Sequence, residues 1–486
     1  GLRIIIGRNF LFALSIISLM FIAFGLNVEN SYALELNDTV DGMGVDSDNT
    51  VKLENSQDEI LEVDSQDILK STIKPKKNTY KSIQEAIDSA KAGDTIKLSG
   101  KYYSNGEQIV ISKKLTLTAD KTAILDGKHL SRAFHVKVKG EGSIFKNIKF
   151  INGNAKYGSA IYIKSKNVHV ENCIFEDNHA NKGGALFTVA DLDITSGTIV
   201  DNCQFRRNTG YNENFENYSY SGALSVYGRN SVIKNCLFED NWIKAKQDCF
   251  GGAIQVGLDL PDSNVKVINC IFKNNRAISL GSHSHGGAGC VRDGSSYVKC
   301  IFINNSADQG GALTFHASGA IVNCTFIGNT ANRLYGGAIS TGFLFDYMKL
   351  NILDCSFDGN SAPVGGAIQA KGLNILINNS DFKNNHVTKY GGAVNIEAED
   401  VAIKSSIFKF NKANIDGGAV YIKGKNTLIV ASSFNSNEAV PDVDKLDDGL
   451  GGAIYINSSY ASIKNNSFKF NIARNGSAIY YDEMRR

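Results

Sequence analysis

Short runs of alternating apolar and polar residues recur along most of the chain, with Asn, Gly and Lys between them. One stretch reads AIYI, KSKN, VHVENCIF, EDN, and another reads AVYI, KGKN, TLIVASSF, NSN. Alternation with period two, bounded by turn residues, predicts short β-strands rather than helices. One segment differs: KSIQEAIDSA places Ile83, Ala86, Ile87 and Ala90 at i, i+3, i+4 and i+7, which predicts an amphipathic helix ahead of the strands.

Two linked columns of residues mark a repeat whose shortest spacings are 24 to 26 residues. The first column is the alanine of Gly-Gly-Ala: Ala160, Ala185, Ala223, Ala253, Ala288, Ala312, Ala338, Ala367, Ala393, Ala419, Ala453 and Ala478. The second is a phenylalanine upstream of it: Phe150, Phe175, Phe205, Phe238, Phe272, Phe302, Phe326, Phe357, Phe382, Phe408, Phe434 and Phe468. An asparagine follows the phenylalanine by three residues in every copy except the first, where Gly153 stands.

A period near 25 built only from short strands is typical of a parallel β-helix, in which each repeat is one coil stacked on the last. We therefore predict an all-β fold, a single-stranded right-handed parallel β-helix, with residues 81–90 as a helical cap over its first coil. Stacked coils lie about 4.8 Å apart, so an inward phenylalanine packs on its equivalents above and below.

The other repeated residues receive roles from the same geometry. We expect the asparagine to be a turn residue in left-handed conformation, with its amide bonding along the stack. In the glycine pair, the replacements Ser159, Ser221 and Ser477 suggest that small size matters more than positive φ. Seven of the nine cysteines stand two residues before the phenylalanine, which predicts buried inward thiols, and an odd count argues against a full disulfide framework.

The N-terminal region has a different composition. Residues 1–33 combine Arg3 and Arg8 with an apolar stretch and the small-residue site Ser31-Tyr32-Ala33, which predicts a signal peptide. Residues 34–70 hold eleven Asp and Glu against two lysines and no aromatic residue, so we predict an acidic disordered spacer over 34–78. The β-helix domain is expected over 79–486.

Charge does not point to nucleic acid. The net charge is +2, and no dense run of Lys and Arg occurs. We predict an extracellular or cell-surface location, with membrane contact only through the signal segment or an anchor not present in this chain.

The paired FxxN and GGA[ILV] motifs resemble the repeats of the chlamydial polymorphic outer membrane proteins and of the adhesin-like β-helix proteins of methanogenic archaea. The opening YKSIQEAIDSAKAGDTIKL, LTLTAD and ILDG is similar to the entry of many secreted β-helix proteins with a pectin lyase-like fold, including carbohydrate-active ones. The resemblance covers about residues 79–481 and implies a surface protein, but it is specific for the repeat rather than for one activity.

Two groups of residues were considered as chemical sites, and neither is predicted to be catalytic or metal-binding. Asp191 and Asp193 lie two residues apart, as if on one side of a strand, but they alternate with Leu192 and Ile194 as an ordinary exposed strand would. His283 and His285, with Cys290 nearby, lack further ligands at a recognisable spacing. The Arg-x-Pro-x-x-Arg motif that a likeness to pectate lyases would imply is also absent. We predict no cofactor.

Insertions between the motif asparagine and the next Gly-Gly-Ala are the remaining functional signal. Three successive repeats carry long ones, at 209–220, 242–250 and 276–285, and an acidic fourth lies at 438–450. Because coils stack, the first three should emerge side by side as loops at one corner. Aromatic and lysine residues concentrate there: Tyr211, Phe215, Tyr218, Tyr220, Trp242, Lys244 and Lys246.

These features predict an adhesin-like protein that binds a host or neighbouring-cell surface or glycan without catalysis, with the three insertions as the recognition patch. Two alternatives remain open at this point: a polysaccharide lyase or hydrolase on the same fold, and a structural spacer that binds nothing. Neutral drift in surface loops would also explain the insertions.

Overall fold

The computed structural model describes residues 70–211, 218–257, 263–292, 294–341, 348–441 and 448–482. The predicted signal peptide and residues 34–69 of the predicted spacer lie outside these ranges. The β-rich unit begins at Thr72, and its first strand, Thr72–Ile73, pairs with Thr95–Leu98. Residues 72–78, which we assigned to the spacer, therefore contribute to the folded unit.

From Phe134 onward the coils contribute strands to four successive faces, and the earlier coils contribute to the first three. The first face, after Gly-Gly-Ala, contains Ile109–Ile111, Phe134–Val136, Ile161–Ile163, Leu186–Thr188, Leu224–Val226, Ile254–Val256, Gly289–Val291, Leu313–Phe315, Ile339–Thr341 and Ile479–Tyr481. The second contains Thr72–Ile73, Thr95–Leu98, His169–Glu171, Ile199–Asp201, Val232–Lys234, Lys266–Ile268, Ser296–Val298, Gly319–Val322 and Lys349–Leu353. Four long strands join these two faces: Ile368–Asn378, Val394–Lys404, Val420–Val430 and Ile454–Lys464.

The third face carries the motif phenylalanines. Its strands are Lys101–Tyr103, Ile174–Glu176, Gln204–Arg206, Leu237–Glu239, Ile271–Lys273, Ile301–Ile303, Thr325–Ile327, Ser356–Asp358, Asp381–Lys383, Ile407–Lys409, Ser433–Asn435 and Ser467–Lys469. Thr116–Asp126 and Ile144–Ile151 join the second and third faces. The fourth face is a separate sheet of twelve strands: Asn154–Tyr157, His179–Lys182, Thr209–Gly210, Trp242–Ala245, Arg276–Ser279, Ser306–Ala307, Thr330–Ala331, Ser361–Ala362, His386–Val387, Lys412–Ala413, Glu438–Ala439 and Ile472–Ala473.

Strands of successive coils pair in parallel, and their register is regular apart from one shift between Thr118 and Ala123. On the third face, Phe175 pairs with Phe150 and Phe205, one coil on either side. This arrangement confirms the predicted right-handed parallel β-helix.

The predicted cap is a helix over Tyr80–Ser89. Thr79 is its N-cap residue, and the Thr79 hydroxyl accepts a hydrogen bond from the backbone N–H of Ser82. The Gln84 side chain of this helix makes two hydrogen bonds to Val110 in the first-face strand Ile109–Ile111. Gln84 Nε2 donates to the carbonyl oxygen of Val110 at 3.2 Å, and Gln84 Oε1 accepts from the backbone N–H of Val110 at 2.6 Å. The helix thus satisfies an open strand edge, which a solenoid end must cover. Among the described residues no helix has the length and apolar character needed to cross a membrane.

The interior contains the phenylalanine stack that the sequence predicts. From Phe150 to Phe468, neighbouring rings are nearly parallel, with centroids 4.5 to 5.1 Å apart. Those from Phe150 to Phe434 are buried, and Phe468 packs against the core from a partly buried position. All nine cysteines are buried thiols, and seven form the predicted inward column.

The asparagine column corrects one prediction and confirms another. The motif asparagines from Asn178 to Asn437 are buried and Asn471 is partly buried, and it is the residue before each of them that has positive φ, as at Asp177 and Asn304. In the first repeat, likewise, Asn152 has a φ of 54°, whereas Gly153, which takes the place of the asparagine, does not have positive φ. The predicted amide ladder is present: Asn178 Nδ2 donates to Asn208 Oδ1 at 3.0 Å, and the pattern continues to Asn471.

The two glycines of Gly-Gly-Ala have separate roles, which the sequence analysis merged. The first has positive φ, for example 76° at Gly251, and Ser221 in that position also has φ 36°. Where the second residue is glycine, a side chain would meet the next coil: a Cβ on Gly252 would lie 2.0 Å from the carbonyl oxygen of Gly287. Serine stands at this position only as Ser159 and Ser477, in the first and last repeats. Small size therefore matters at the second position and positive φ at the first.

Candidate functional site

The described parts of the three long insertions emerge side by side, as predicted, and they contain paired strands. Their ends form a three-stranded parallel sheet of Ser219–Tyr220, Cys249–Phe250 and Ser284–His285. Their beginnings extend the fourth face as Thr209–Gly210, Trp242–Ala245 and Arg276–Ser279. We call the described part of these segments, residues 209–211, 218–220, 242–250 and 276–285, the insertion corner.

Two aromatic ladders lie across the insertion corner, because register pairing places equivalent side chains next to each other. In the first, on the fourth face, the ring of His179 lies 4.5 Å from Tyr211, and Tyr211 stacks on Trp242 at 5.0 Å with 13° between the planes. His179, Tyr211 and Trp242 are all partly exposed. Aromatic faces held in this way present apolar area at little entropic cost.

The second ladder lies on the three-stranded sheet. Tyr220 stacks on Phe250 at 5.7 Å, and Phe250 stacks on His285 at 4.9 Å. The ring of His316, which follows a first-face strand, lies 5.0 Å from His285, and the guanidinium of Arg292 lies 4.8 Å from the Phe250 centroid. This ladder therefore connects the insertion corner to the first face.

A small hydrophobic core of its own supports the insertion corner. Ile243, Ala245, Cys249, Ala277 and Ala307 form a buried cluster separate from the main interior. The segments are further tied by hydrogen bonds between coils: the N–H of Ser284 donates to Asp308 Oδ2 at 3.0 Å, and the N–H of Asp308 donates to Ser284 Oγ at 2.7 Å. The ladders thus rest on a packed and hydrogen-bonded base.

Burial determines the protonation of two groups here. Burial, together with His316, His283 and Arg292, lowers the pKa of His285 to about 2, so this imidazole is neutral at physiological pH. Burial raises the pKa of the Cys249 thiol to about 12, which leaves it protonated and a poor nucleophile. The ladders are therefore aromatic and largely uncharged.

Most of the predicted recognition residues lie in the insertion corner. Tyr218 is 43% exposed, Lys246 is exposed, and Phe215 lies outside the described residues. His179 and Phe250, which belong to the ladders, are not among the residues predicted from the sequence. A signal was available for the second ladder: the two residues before the glycine pair are Ser-Tyr, Cys-Phe and Ser-His in the three repeats.

Asp191 and Asp193 do not share one side of a strand, which corrects the sequence analysis. Asp193 lies in a turn over residues 192–197 and Asp191 directly precedes it; Asp191 Oδ1 accepts hydrogen bonds from the backbone N–H groups of Asp193 and Ile194 at 3.0 and 2.9 Å. Asp193 lies 3.7 Å from the guanidinium of Arg229. The pair shapes a turn.

His283 and His285 also lie in different surroundings and do not form one site. His283 is exposed, with its ring nitrogen Nδ1 3.3 Å from Ser282 Oγ, whereas His285 belongs to the second ladder and contacts Gln309 Nε2 at 2.6 Å. Cys290 is buried on the first-face strand Gly289–Val291. Across the described residues, His, Cys, Asp and Glu form no group of three or more placed to hold a metal ion.

A cleft of about 650 Å³ lies away from the insertion corner, along the long strands near the C-terminal end. Asn374, Asp400, Asn426 and Tyr460 follow one another in register along it. Asn426 Nδ2 donates to Asp400 Oδ1 at 2.8 Å, and Tyr460 is 75% exposed. This cleft is a concave surface with polar groups and an exposed aromatic ring.

A carboxylate with an unusual pKa lies close to the same end. Burial, with Asp448 and Asp482 nearby, raises the pKa of Asp416 to about 6, although the N–H of Leu450 donates to its Oδ1 at 2.9 Å. The hydroxyl of Tyr455 donates to Asp482 Oδ2 at 2.6 Å. A carboxyl group that titrates near neutrality can act as a general acid or base.

Comparison with known proteins supports the fold. Residues 134–341 match the family model described as "Right handed beta helix region", and residues 354–371 match the "Chlamydia polymorphic membrane protein repeat". No individual curated protein sequence matches the chain.

Several solved structures are similar at low identity. A PL6 family polysaccharide lyase from Pseudopedobacter saltans is 13% identical, with 82% of this chain and 92% of that chain covered and a TM-score of 0.43. The tailspike protein of E. coli bacteriophage HK620, in complex with a pentasaccharide, is 12% identical, with 83% and 76% covered and a TM-score of 0.41. PfbA, a surface adhesin of Streptococcus pneumoniae, is 13% identical, with 71% and 89% covered and a TM-score of 0.35.

Similarity at this level does not assign an activity. The register-paired coils and the family match over residues 134–341 agree on the architecture, and the repeat match lies within it. The chain is a right-handed parallel β-helix repeat protein, similar over residues 354–371 to the repeat of chlamydial polymorphic membrane proteins.

Proposed function

We propose that the chain is an adhesin-like surface protein that binds a glycan or a cell-surface protein through its insertion corner, without catalysis. The observation that carries this proposal is the pair of aromatic ladders, His179–Tyr211–Trp242 and Tyr220–Phe250–His285, which run across neighbouring coils at the insertion corner. Aromatic side chains fixed on a rigid scaffold are a common basis of recognition surfaces.

Packing of the insertions favours recognition over neutral drift. Drift predicts surface loops that tolerate change because they make few contacts. Here the insertions share a buried cluster, and Cys249 Sγ lies 2.9 Å from the carbonyl oxygen of Ile278 in the next insertion. Display at the cell surface is supported by the predicted signal peptide and by the similarity of residues 354–371 to a membrane protein repeat.

The test compares two aromatic surfaces of the same protein. The variant Tyr211→Ala/Trp242→Ala removes the outer part of the first ladder, and Tyr460→Ala removes an exposed ring from the separate cleft. We expect the first variant to lose at least about tenfold in affinity for glycans or cells that the unmodified protein binds, because central aromatic contacts dominate such interfaces. Glycan-array and cell-binding assays measure this loss, with far-UV circular dichroism as the folding control.

Tyr460→Ala should leave binding unchanged. Equal binding by Tyr211→Ala/Trp242→Ala and the unmodified protein would contradict the proposal. Loss confined to Tyr460→Ala would transfer the function to the cleft, and a protein that binds nothing would favour the spacer.

The polysaccharide-cleaving alternative has one observation in its favour, the raised pKa of Asp416 beside Asp448 and Asp482. If it held, incubation with polysaccharides would produce new reducing or unsaturated ends, and Asp416→Asn would abolish them. We expect neither product to form.

A further inference from the structure

The third face carries a cluster of exposed aliphatic side chains. On each motif strand of this face the central phenylalanine points inward, so the residues on either side of it point outward. Over four successive coils these outward positions hold Leu237, Ile271, Ile301, Ile303 and Ile327, which we call the aliphatic patch. Ile271, Ile301 and Ile327 are 40%, 37% and 42% exposed, and the other two are partly exposed.

Continuity between coils distinguishes the aliphatic patch from the single exposed apolar residues that are common on protein surfaces. Its members are register neighbours of one another. Ile407 on the same face is 47% exposed, but it pairs with Asp381 and Ser433 and is therefore isolated. On the second face, beyond the polar turn residues, three further aliphatic residues stand in register and are partly exposed: Ile268, Val298 and Val322.

The aliphatic patch has the size of an interface centre. Its five side chains expose on the order of 300 Å² of apolar surface, and exposed patches of this size are often interaction sites. A stable protein interface buries about 800 Å² per partner, with an apolar centre and a polar rim. The patch can supply the centre, and the polar residues of the adjoining coils can supply the rim.

One column of the third face has a charge pattern that is complementary to itself. The residues that follow the phenylalanines over six successive coils are, in register, Glu239, Lys273, Ile303, Ile327, Asp358 and Lys383. When a second copy is turned end over end about the centre of this column, Glu239 of one copy faces Lys383 of the other. In the same arrangement Lys273 faces Asp358, and the two isoleucines face each other.

Two copies running in the same direction do not match in this way. Each coil would then meet its own equivalent with the two outward positions exchanged, so that Lys273 would face Ile271 and Glu239 would face Leu237. A charge that is desolvated against an aliphatic side chain costs free energy. The charge pattern therefore favours the antiparallel arrangement.

We propose that the aliphatic patch binds a second copy of this chain, with the third faces packed together and the two stacks of coils running in opposite directions. The isoleucines leave water at the centre, and the charges at the rim set the register, since such charges contribute more to orientation than to affinity. Lys273 also pairs with Glu239 within the chain at 3.0 Å, and each faces an opposite charge in the dimer as well. The patch shares no residue with the aromatic ladders, and the proposal does not depend on their function.

The test measures self-association of the full chain by sedimentation velocity from roughly 1 to 100 μM. The variant Ile303→Lys/Ile327→Lys places lysines opposite each other in the dimer. The control Leu130→Lys/Val138→Lys adds the same charge at aliphatic residues outside the patch that are 60% and 62% exposed. We expect the unmodified chain to dimerise in this range, the patch variant to associate at least about tenfold more weakly, and the control to associate normally.

A charge exchange tests the antiparallel arrangement. Asp358→Lys faces Lys273 of the second copy and should weaken association about fivefold, because the contact occurs twice in the dimer. Lys273→Glu/Asp358→Lys restores opposite charges and should recover most of that loss. Far-UV circular dichroism checks the folding of each variant, and all of them retain residues 1–71, so association through that region would be equal in all.

A chain that stays monomeric over this range would overturn the proposal and leave the patch to a different partner. Equal association by Ile303→Lys/Ile327→Lys and the unmodified chain, or the same loss in Leu130→Lys/Val138→Lys, would also overturn it. If Lys273→Glu/Asp358→Lys associated no better than Asp358→Lys, the antiparallel arrangement would be wrong.

Discussion

Each motif asparagine joins three successive coils through its side chain. Asn305 Nδ2 donates to the carbonyl oxygen of Phe272 and to Asn329 Oδ1, both at 3.0 Å, while its Oδ1 accepts from the N–H and Nδ2 of Asn275 at 2.9 and 3.0 Å. All four bonds lie in the interior, where an unmade hydrogen bond is costly. The asparagine is thus a structural link between coils.

Replacing one ladder asparagine should therefore lower the free energy of unfolding. Asn305→Ala leaves the carbonyl of Phe272 and the N–H of Asn275 buried without partners, and we expect a loss of about 3 kcal/mol in the free energy of unfolding. Asn332→Ala is the control, because Asn332 is exposed, and it should change that free energy by less than about 0.5 kcal/mol. Urea denaturation followed by circular dichroism measures both; similar midpoints for the two variants would disprove the ladder's role.

The sequence located this column correctly but assigned it the wrong backbone conformation. Adjacent positions are both rich in Asn and Asp, and either residue type suits a left-handed turn. The distinguishing signal was variability. The residue before the motif asparagine is Arg207, Phe410 or Ser436 in some repeats, each with φ between 52° and 57°. An outward turn tolerates such changes, whereas the inward amide has no substitute among the later repeats.

At the scale of elements, the glycine pair determines how closely one coil approaches the next. The second glycine lies against the backbone of the following coil, where a Cβ on Gly311 would be 2.1 Å from the carbonyl oxygen of Gly337. The close approach brings the first-face strands of neighbouring coils into register. Leu313 pairs with Ile339 directly after this corner.

Gly311→Ala should separate these two coils. We expect it to lower the free energy of unfolding by about 3 kcal/mol, because neither backbone can move without breaking the ladder of the adjoining strands. Gly294→Ala is the matched control: Gly294 has ordinary φ and open space around its Cβ direction, so its replacement should be neutral. Thermal denaturation compares the two, and a stable Gly311→Ala protein would contradict the packing argument.

The insertions show where sequence reasoning stops at this scale. Stacking of repeats sufficed to predict that the three segments emerge together. Stacking did not predict the three-stranded sheet that the ends of the insertions form. The insertions differ in length, so their paired residues come into line only when the three sequences are aligned at the Gly-Gly-Ala motif that follows each insertion. Ser219, Cys249 and Ser284 then come into register.

Across the whole β-helical unit, the phenylalanine stack and the asparagine ladder run without interruption through the coils that carry the insertions. The insertion corner is attached to these columns at Asn241, which is buried in the ladder and directly precedes Trp242. A nearest-neighbour solenoid can unfold in parts, but only where a weak interface interrupts it. Among the described residues, the strand pairing and the asparagine ladder continue from the insertion corner into the coils on either side.

The single tryptophan of the chain allows this continuity to be tested. Trp242 reports on the insertion corner through its fluorescence, while far-UV circular dichroism reports on all strands. We expect the two signals to change at the same urea concentration, because the strand Trp242–Ala245 is paired on both sides, with Thr209–Gly210 and with Arg276–Ser279. Trp242→Phe, which lacks the fluorescent reporter, should keep the same dichroism transition and serves as the control. If the fluorescence changed at clearly lower urea while the dichroism held, the insertion corner would be a separately unfolding attachment, and the two aromatic ladders would lack the rigid support that makes them a recognition surface.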